Sequence, residues 1–349
     1  MAPGTLREAA LMLAMHMADT LLSPLVALVM IVLSAGVLAW AARRVQRRFD
    51  PARVPLMGVL GAFVFAAQMI NFPLPLVPGT SGHLGGGLLL AILLGPDAGV
   101  LVMASVLIVQ CLIFQDGGLL ALGANIFNMG VVPCYGGYGL YRLIAGASSS
   151  PKRVYVAVFV SALAGVTAGA AFVPFEVHLS RMLVVPLSRF LLVMAGLHLI
   201  IAAVEAFITF GVVGYMAKVR PQAIATSAAF GATAGRLSAG MVSVSLLVVA
   251  LLLAAVVSLY ASKFPDALDS RTSFDDASRK PMVAANTSDT MNRVVAWHGR
   301  HAPLPDYQGL RGWSSAGGVI GTLVTLAAVW LIARLLRPAS RESHTHEPG

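Results

Sequence analysis

Charged residues are scarce in this chain of 349 residues: Asp, Glu, Lys and Arg make up 11% of it, against 58% hydrophobic residues. An ordinary soluble domain has about 25% charged residues. Apolar runs of membrane-spanning length recur along the chain, without the alternating polarity of barrel strands. These features exclude a soluble enzyme, a disordered chain and a membrane β-barrel. They predict an all-α integral membrane protein.

Cysteines, nucleotide-binding loops and intramembrane acids are few or missing. Cys111 and Cys134 are the two cysteines, and both lie in apolar segments without ligand-type spacing. No GxxxxGK[ST] sequence is present, so ATP binding through a P-loop is not expected. Glu205 is the clearest acid inside an apolar run, whereas carriers driven by protons or sodium usually need a relay of such groups. If the chain moves a solute uphill, its energy is therefore expected to come from another subunit.

The apolar runs predict a polytopic helical bundle with about nine transmembrane helices. The predicted spans are 22–42, 55–71, 83–95, 97–115, 120–141, 154–174, 188–216, 239–261 and 316–336. Gly-Pro-Asp and Gln-Asp-Gly-Gly sequences interrupt the region between 83 and 141. We therefore expect helices there that are short or re-entrant.

Basic residues set the predicted orientation. With nine spans, the Lys and Arg clusters that follow spans one, five, seven and nine all lie on one side of the membrane. The positive-inside rule makes that side the cytoplasm, which places the N-terminus outside and the C-terminus inside. The chain then divides into a seven-span body (15–217), a cytoplasmic linker (218–238) and a two-span hairpin (239–349) with a polar external loop (262–315).

Two histidines lie at predicted outer ends of the spans. His16 precedes the first span, and His83 follows a Gly-Thr-Ser-Gly sequence at the start of the third. If the polypeptide begins at Met15, the Met15 amine, the His16 backbone nitrogen and the His16 ring can chelate one ion, and His83 can add a fourth nitrogen. Four nitrogens in a plane suit Ni(II) or Cu(II), with Co(II) as an alternative. In the simpler alternative, His16 is an exposed interface residue and His83 bonds a helix terminus.

Residues 1–14 would block this chelate, because the Met15 nitrogen would then be an amide. Arg7 and Glu8 are followed by a very short apolar run, which does not fit a signal peptide. We therefore expect residues 1–14 to reflect a misassigned start, with cleavage after Ala14 as the alternative.

Several motifs of the N-terminal body occur together in one known family. They are Met15-His16-Met17-Ala18-Asp19-Thr20, Gly79-Thr80-Ser81-Gly82-His83-Leu84, Leu93-Leu94-Gly95-Pro96, and the segments 116–130 and 197–206. Together they resemble the substrate-capture component of nickel and cobalt energy-coupling-factor transporters, the CbiM/NikM family. The family opens with Met-His-Ile-Pro-Asp-Gly, so Ala18 and Thr20 replace a Pro and a Gly.

The C-terminal hairpin resembles the companion small subunit of the same systems, here fused into one chain. Its loop carries Pro265-Asp266-Ala267-Leu268-Asp269 where that subunit's PDGLE motif has Pro-Asp-Gly-Leu-Glu. A second match, Ala302-Pro303-Leu304-Pro305-Asp306-Tyr307, follows further along the loop.

The resemblance implies a metal-capture subunit of an ATP-driven importer in the inner membrane. Ni(II) or Co(II) would be its cargo rather than a permanently bound cofactor. The resemblance gives Met15, His16 and His83 as the metal ligands. It also implies two kinds of partner, a transmembrane coupling protein and a pair of cytoplasmic ATPases.

Four further residues are candidates for support of the metal site. His198 and Glu205 are seven residues apart and share one helix face, so they either form a structural polar pair or support the site. Asn125 and Asn128 lie where family members have polar residues near the site, and their amides could fix the tautomer of a histidine ring.

Small residues recur every four positions in the second span, at Gly58, Ala62 and Ala66. Such a stripe lets another helix approach closely. It predicts either docking of the coupling protein or packing within the chain. Among the remaining histidines, His298 and His301 of the external loop could relay metal or could simply be solvated.

Two other functions compete with the importer subunit. One is a metal carrier or channel that works without ATPases. The other is a membrane enzyme with a zinc site, which has no candidate nucleophile or base beside the histidines. The sequence leaves the choice between nickel and cobalt open.

Overall fold

The computed structural model describes residues 16–75, 77, 79–146, 150–220, 237–262, 264, 266, 282–307 and 314–337, and these residues are mainly helical. The helices are α1 (Pro24–Arg47), α2 (Val54–Gln68), α3 (Gly87–Leu94), α4 (Pro96–Phe114), α5 (Leu122–Asn125), α6 (Tyr138–Ala145), α7 (Pro151–Leu179), α8 (Leu187–Val219), α9 (Ala239–Ala255), α10 (Asp289–His301) and α11 (Ser314–Leu335). Strands β1 (Phe72–Pro73) and β2 (Ser81–Gly82) form an antiparallel pair. A π-helical segment, Ile126–Gly137, joins α5 to α6.

Seven helices of the described residues are long and apolar enough to cross a membrane. They are Pro24–Arg47, Pro51–Gln68, Pro96–Phe114, Pro151–Leu179, Leu187–Val219, Ala239–Tyr260 and Ser315–Leu335. These helices confirm a polytopic helical membrane protein, although they are seven rather than the predicted nine.

The other two predicted spans, 83–95 and 120–141, do not form long regular α-helices. The span predicted at 83–95 contains only α3, whose eight residues extend about 12 Å, well short of a bilayer core of roughly 30 Å. The chain reaches α3 through the loop that contains β1 and β2. The span predicted at 120–141 is helical, but Ile126–Gly137 has π-helical hydrogen bonding. The prediction of short helices is therefore correct for α3, and whether this region is re-entrant stays a prediction.

The π-helical segment has an identifiable cause in Pro133, which lies inside it. Proline has no backbone N–H, and its ring clashes with the carbonyl four residues earlier, here that of Met129. Widening of the turn to a π-helix accommodates both effects. The displaced Met129 carbonyl lies so close to Gly87 that a Cβ atom there would be 2.6 Å from the oxygen. Glycine at position 87 therefore lets α3 pack against the π-helical segment.

The centre of the bundle is formed by α2, α3 and α4, and every residue of α3 is buried. In contrast, α1 and α9 expose apolar side chains such as Leu25 and Val244, which are 71% and 61% exposed. An apolar outer surface suits contact with lipid tails rather than with water.

The stripe of Gly58, Ala62 and Ala66 packs within the chain. A Cβ atom at Gly58 would lie 3.0 Å from the Leu326 side chain on α11, and the side chains of Ala62 and Ala66 are completely buried. This contact agrees with the alternative of packing within the chain, and docking of the coupling protein stays a prediction.

Polar contacts at one end of the bundle join three of its elements. The Arg44 guanidinium donates to Asp97 at 2.8 Å, and the Tyr135 hydroxyl donates to the same carboxylate at 3.0 Å. These contacts connect the end of α1, the start of α4 and the π-helical segment. The basic clusters at this end are those that predicted the cytoplasmic side, and the orientation itself stays a prediction.

The loop between α9 and α11 packs across the opposite end of the bundle. His298 of α10 is buried, and its Nε2 lies 2.8 Å from the Cys111 carbonyl oxygen at the end of α4. The Asn286 amide donates to the Leu22 carbonyl just before α1 at 3.1 Å. His298 is thus neither solvated nor placed as an exposed metal relay, because it anchors this loop to α4.

Candidate metal site

The structure brings His16 and His83 together at the end of the bundle that the C-terminal loop covers. Their ring centroids are 5.3 Å apart and the rings are tilted by 56°. Both rings line a cavity of about 90 Å³. His16 is only 3% exposed, so it is not the exposed interface residue of the simpler alternative.

One nitrogen of the His16 ring is held by a carboxylate. Nδ1 of His16 lies 2.9 Å from Oδ1 of Asp116, whereas Nε2 of His16 is buried and has no hydrogen-bond partner among the described residues. A carboxylate on one ring nitrogen with the other nitrogen free is the arrangement found around metal-bound histidines. Asp116 did not stand out in the sequence as a site residue.

The charge of Asp116 is maintained by its neighbours. Burial works against ionisation of this carboxyl, but the His16 ring and the Tyr307 hydroxyl outweigh it, so the pKa of Asp116 lies below its ordinary value. The Tyr307 hydroxyl donates to Oδ2 of Asp116, the oxygen that does not contact His16. Both carboxylate oxygens are therefore engaged by residues that are far apart in the sequence.

Met15 lies outside the described residues, so its amine has no described position. The chelate predicted from the sequence needs Nδ1 of His16, because only that ring nitrogen is close enough to the amide of the same residue to close a ring. Since Nδ1 contacts Asp116, the chelate requires about half a turn of the imidazole around its Cβ–Cγ bond. Within the described ranges, no three His, Cys, Asp or Glu side chains form a ready set of metal ligands.

The backbone next to His16 is fixed by Asn125. The Asn125 side chain accepts from the Met17 N–H at 2.9 Å and donates to the Met17 carbonyl at 3.1 Å. The predicted amide contact with a histidine ring is therefore wrong for Asn125 in this structure. Its amide instead binds the backbone of Met17, the residue after His16, and so fixes the backbone that carries His16.

Asp19 and a pair of glycines hold the same segment from the other side. Oδ1 of Asp19 accepts from the N–H groups of Leu120 and Ala121 at 2.6 and 3.0 Å. Burial raises the pKa of Asp19, although these hydrogen bonds lower it. A Cβ atom at Gly117, where φ is +89°, would lie 2.9 Å from the His16 Cβ, and one at Gly118 would lie 2.3 Å from the Asp19 nitrogen. The Asp-Gly-Gly sequence is thus needed for this close approach.

The loop that follows His83 is held by Glu205 of α8. The two carboxylate oxygens of Glu205 accept from the N–H groups of Gly85 and Gly86 at 2.7 and 3.0 Å. The amide of Gln68 also donates to the Gly85 carbonyl, at 2.7 Å. Glu205 therefore supports the His83 loop through its backbone.

His198 also lines the cavity, and its Nδ1 lies 2.9 Å from the Met194 carbonyl of the same helix. The predicted placement of His198 and Glu205 on one face of α8 is correct, since both reach this cavity. They do not act as a mutual pair, because Glu205 is engaged by the Gly85–Gly86 backbone.

Asn128 lines the same cavity from the π-helical segment. Its amide donates to Oε2 of Glu176 on α7 at 2.9 Å. A Cβ atom at Gly169 would lie 2.3 Å from the Asn128 carbonyl oxygen. Asn128 therefore joins the π-helical segment to α7 rather than contacting a histidine ring, and Glu176 is a partner that the sequence analysis missed.

The C-terminal loop contributes an acid directly beside His83. Nε2 of His83 lies 3.8 Å from Oδ2 of Asp266, and Asp266 is 6% exposed. Asp266 belongs to the PDGLE-like sequence, but its position in the cavity wall could not be read from that sequence.

Two family models match the chain. The one described as "Cobalt uptake substrate-specific transmembrane region" matches residues 16–223. The one described as "PDGLE domain" matches residues 240–338.

Similar proteins include fused nickel transport proteins and cobalt transport proteins. A protein of Archaeoglobus fulgidus that carries the provisional name of a fused nickel transport protein NikMN is 41% identical over 217 residues, which are 62% of this chain and 70% of that protein. The "Fused nickel transport protein NikMN" of Rhodobacter capsulatus is 32% identical over 60% of this chain and 64% of its own length. The "Cobalt transport protein CbiM" of Desulforamulus reducens is 35% identical over 44% of this chain and 59% of its own length.

A solved structure titled "Crystal Structure of an Truncated Transition metal Transporter" superposes on the chain with a TM-score of 0.52. It is 34% identical in sequence, and the match covers 58% of this chain and 97% of that protein.

Proposed function

The chain belongs to the CbiM/NikM family of cobalt and nickel transport proteins and carries a fused PDGLE domain, and from this premise we propose that it is the metal-capture subunit of an ATP-driven importer. It is a multi-pass membrane protein and a transporter rather than an enzyme. The proposed cargo is Ni(II) or Co(II), taken up from outside the inner membrane.

The proposal rests on one observation, the pairing of His16 and His83 at the cavity with Nε2 of His16 left without a partner. A buried polar nitrogen without a hydrogen bond costs free energy, so it needs a compensating interaction. A divalent ion that prefers imidazole ligands supplies one. We therefore assign His16 and His83 as ligands of the cargo ion.

A second arrangement is proposed when the mature chain begins at Met15. The imidazole of His16 then turns so that Nδ1 leaves Asp116. The Met15 amine, the His16 amide and Nδ1 would hold one side of the ion, and His83 would hold the other. Loss of the amide proton makes this binding dependent on pH. A chain that begins at Met15 is expected to bind Ni(II) more tightly than one that retains residues 1–14, as measured by titration calorimetry of both forms.

Energy for uptake is proposed to come from other subunits, namely a transmembrane coupling protein and two cytoplasmic ATPases. The sequence has no P-loop of its own. A capture subunit needs only to bind the ion and change shape when its partners act. This division of labour agrees with the scarcity of acids in the apolar segments.

Removal of either imidazole tests the metal site. We expect His16→Ala and His83→Ala to weaken Ni(II) and Co(II) binding by more than the roughly 100-fold that loss of a supporting residue costs. The measurement is titration calorimetry on the purified full chain in detergent. His301→Ala is the matched control, because His301 is exposed and bonds only its own helix at Trp297. Equal affinities for the unchanged chain and both site variants would contradict the proposal.

A further inference from the structure

Asp266 lies beside His83, and contacts of its neighbouring backbone with Ser81 help to hold it there. It forms an isolated parallel bridge with Ser81, two residues before His83. The Ser81 hydroxyl donates to the Phe264 carbonyl at 2.8 Å. Phe264 and Asp266 thus both contact Ser81 of β2. The carboxylate oxygen Oδ2 of Asp266 lies 3.8 Å from Nε2 of His83, which is within ion-pair range when the imidazole is protonated.

Tyr307 is held beside Asp116 by a backbone hydrogen bond and by ring stacking. The Leu304 N–H donates to the Ile113 carbonyl at 2.9 Å, which ties the segment before Tyr307 to the end of α4. The Tyr307 ring stacks on Phe114 with centroids 4.6 Å apart and planes 15° apart. Its hydroxyl then donates to the carboxylate that holds Nδ1 of His16.

Each imidazole of the candidate site is therefore supported by one residue of the same C-terminal loop. Asp266 contacts His83 directly, and Tyr307 acts on His16 through Asp116. The two supports reach the site from opposite ends of the loop, since Asp266 lies near its start and Tyr307 near its end. Both are largely buried in the fold, and neither is near in sequence to the histidine that it supports.

We propose that the C-terminal loop is a two-point clamp on the metal site, in which Tyr307 positions His16 through Asp116 and Asp266 places a carboxylate beside Nε2 of His83. The proposal rests on the proposed function, since it assigns a role around the same two histidines. When a cation binds one nitrogen of an imidazole, the other nitrogen keeps its hydrogen, and a carboxylate that accepts this hydrogen orients the ring and makes it a better ligand. At His16 this carboxylate is Asp116, which Tyr307 holds. At His83, Nδ1 lies 3.1 Å from the Leu84 carbonyl oxygen, and the clamp places the Asp266 carboxylate 3.8 Å from the other nitrogen, Nε2.

The decisive variant is Tyr307→Phe, because it removes one hydroxyl and keeps the ring that stacks on Phe114. We expect Ni(II) affinity of the purified full chain to fall by about 10- to 100-fold, the usual range for loss of a group that supports a metal-bound histidine. Tyr260→Phe is the matched control, since Tyr260 is 84% exposed. Equal or tighter binding by Tyr307→Phe would overturn the role of Tyr307.

Asp266→Asn tests the second point of the clamp. It should weaken Ni(II) binding by a similar factor of about 10–100, and Asp266→Glu should recover part of the loss because it restores a carboxylate. Asp289→Asn is the control, since Asp289 is an exposed acid of the same loop. Because both variants act on the same metal site, whose imidazole centroids are 5.3 Å apart, the loss in the double variant should differ from the product of the two single losses.

The visible absorption spectrum of bound Co(II) separates positioning from a general loss of stability. A displaced ligand changes the geometry around Co(II) and shifts its bands, whereas a less stable but intact site keeps the spectrum. We expect shifted bands in Tyr307→Phe and Asp266→Asn and unchanged bands in both controls. Failure of the unchanged chain to bind Ni(II) or Co(II) would contradict the proposed function. Normal binding there, with unchanged affinity and spectrum in both variants, would contradict only the clamp.

Discussion

Gly117 and Gly118 allow the loop before α5 to touch the segment that carries His16. A Cβ atom at Gly118 would lie 2.2 Å from Oδ1 and 2.3 Å from the backbone nitrogen of Asp19. The backbone nitrogen cannot move aside as the end of a flexible side chain can. The position of His16 therefore depends on the absence of a side chain at residue 118, in the loop before α5.

Gly118→Ala should separate these two segments. We expect a loss of stability of about 1–3 kcal/mol, typical of an overpacked interior, together with weaker Ni(II) binding because His16 moves. The measurements are the melting temperature of the purified protein in detergent and a Ni(II) titration. Gly139→Ala is the matched control, since a Cβ atom there has nothing within 4 Å. Identical melting temperatures and affinities for the two variants would show that the close approach is unimportant.

Residue types near the site could be predicted from the sequence, but their partners could not. The motifs correctly brought His16 and His83 to one place, and Asn125 and Asn128 to the same cavity. The hydrogen-bond partners of the amides depend on which segments are close in three dimensions. No local sequence pattern predicts that Asn125 bonds the backbone of Met17. Asp116 was visible in a motif, yet its role needs the ring of His16 beside it.

At the scale of helices, α2 and α11 pack closely because both carry glycine at their contact. A Cβ atom at Gly61 would lie 3.0 Å from Val329, and one at Gly321 would lie 2.1 Å from the Phe65 ring. Small residues let helices in a membrane approach closely, where dispersion contacts rather than water exclusion hold them together. One face of α11 is therefore packed directly against α2.

Gly321→Ala should disturb this helix pair. Phe65 lies 5.5 Å from Phe114 between ring centroids, so its displacement also strains the ring on which Tyr307 stacks. We expect destabilisation of about 1–3 kcal/mol, seen as a lower melting temperature in detergent. Gly211→Ala on α8 is the control, because a Cβ atom there meets nothing within 4 Å. A melting temperature that matches this control would mean that α2 and α11 can shift apart freely.

Long helices were the most predictable elements, because an uninterrupted apolar run has few alternatives in a bilayer. The length of α3 was harder to predict. Residues 84–86 are leucine and two glycines, so the sequence does not show where the helix begins. Glu205 binds the Gly85 and Gly86 N–H groups, and Gly86 has φ of +83°. A tertiary contact thus sets where α3 begins. The stripe of Gly58 was also ambiguous in sequence, since partner docking and internal packing require the same small residues.

At the scale of the whole molecule, the body and the C-terminal hairpin share one site. The family model for the capture region ends at residue 223 and the PDGLE model begins at residue 240. Contacts from Asp266, Asn286 and Tyr307 nevertheless reach residues of the first region. The fusion therefore joins two parts that already contact each other at the candidate metal site.

Metal uptake by cells distinguishes an ATP-driven subunit from a stand-alone carrier. We expect uptake of radioactive Ni(II) or Co(II) to fall to background when the coupling protein and ATPases are deleted, because the chain has no P-loop. Re-expression of the partners should restore it. Partners with a disabled ATPase lysine serve as the control for assembly without ATP hydrolysis. Full uptake without the partners would favour the carrier.

The contact between Tyr307 and Asp116 joins positions 191 residues apart in the chain. Translation produces both histidines long before Tyr307, so a nascent polypeptide carries the two imidazoles before the hydroxyl that contacts Asp116 has been made. On the proposed clamp, tight metal binding is therefore expected only after the C-terminal loop has been synthesised and has packed onto the bundle.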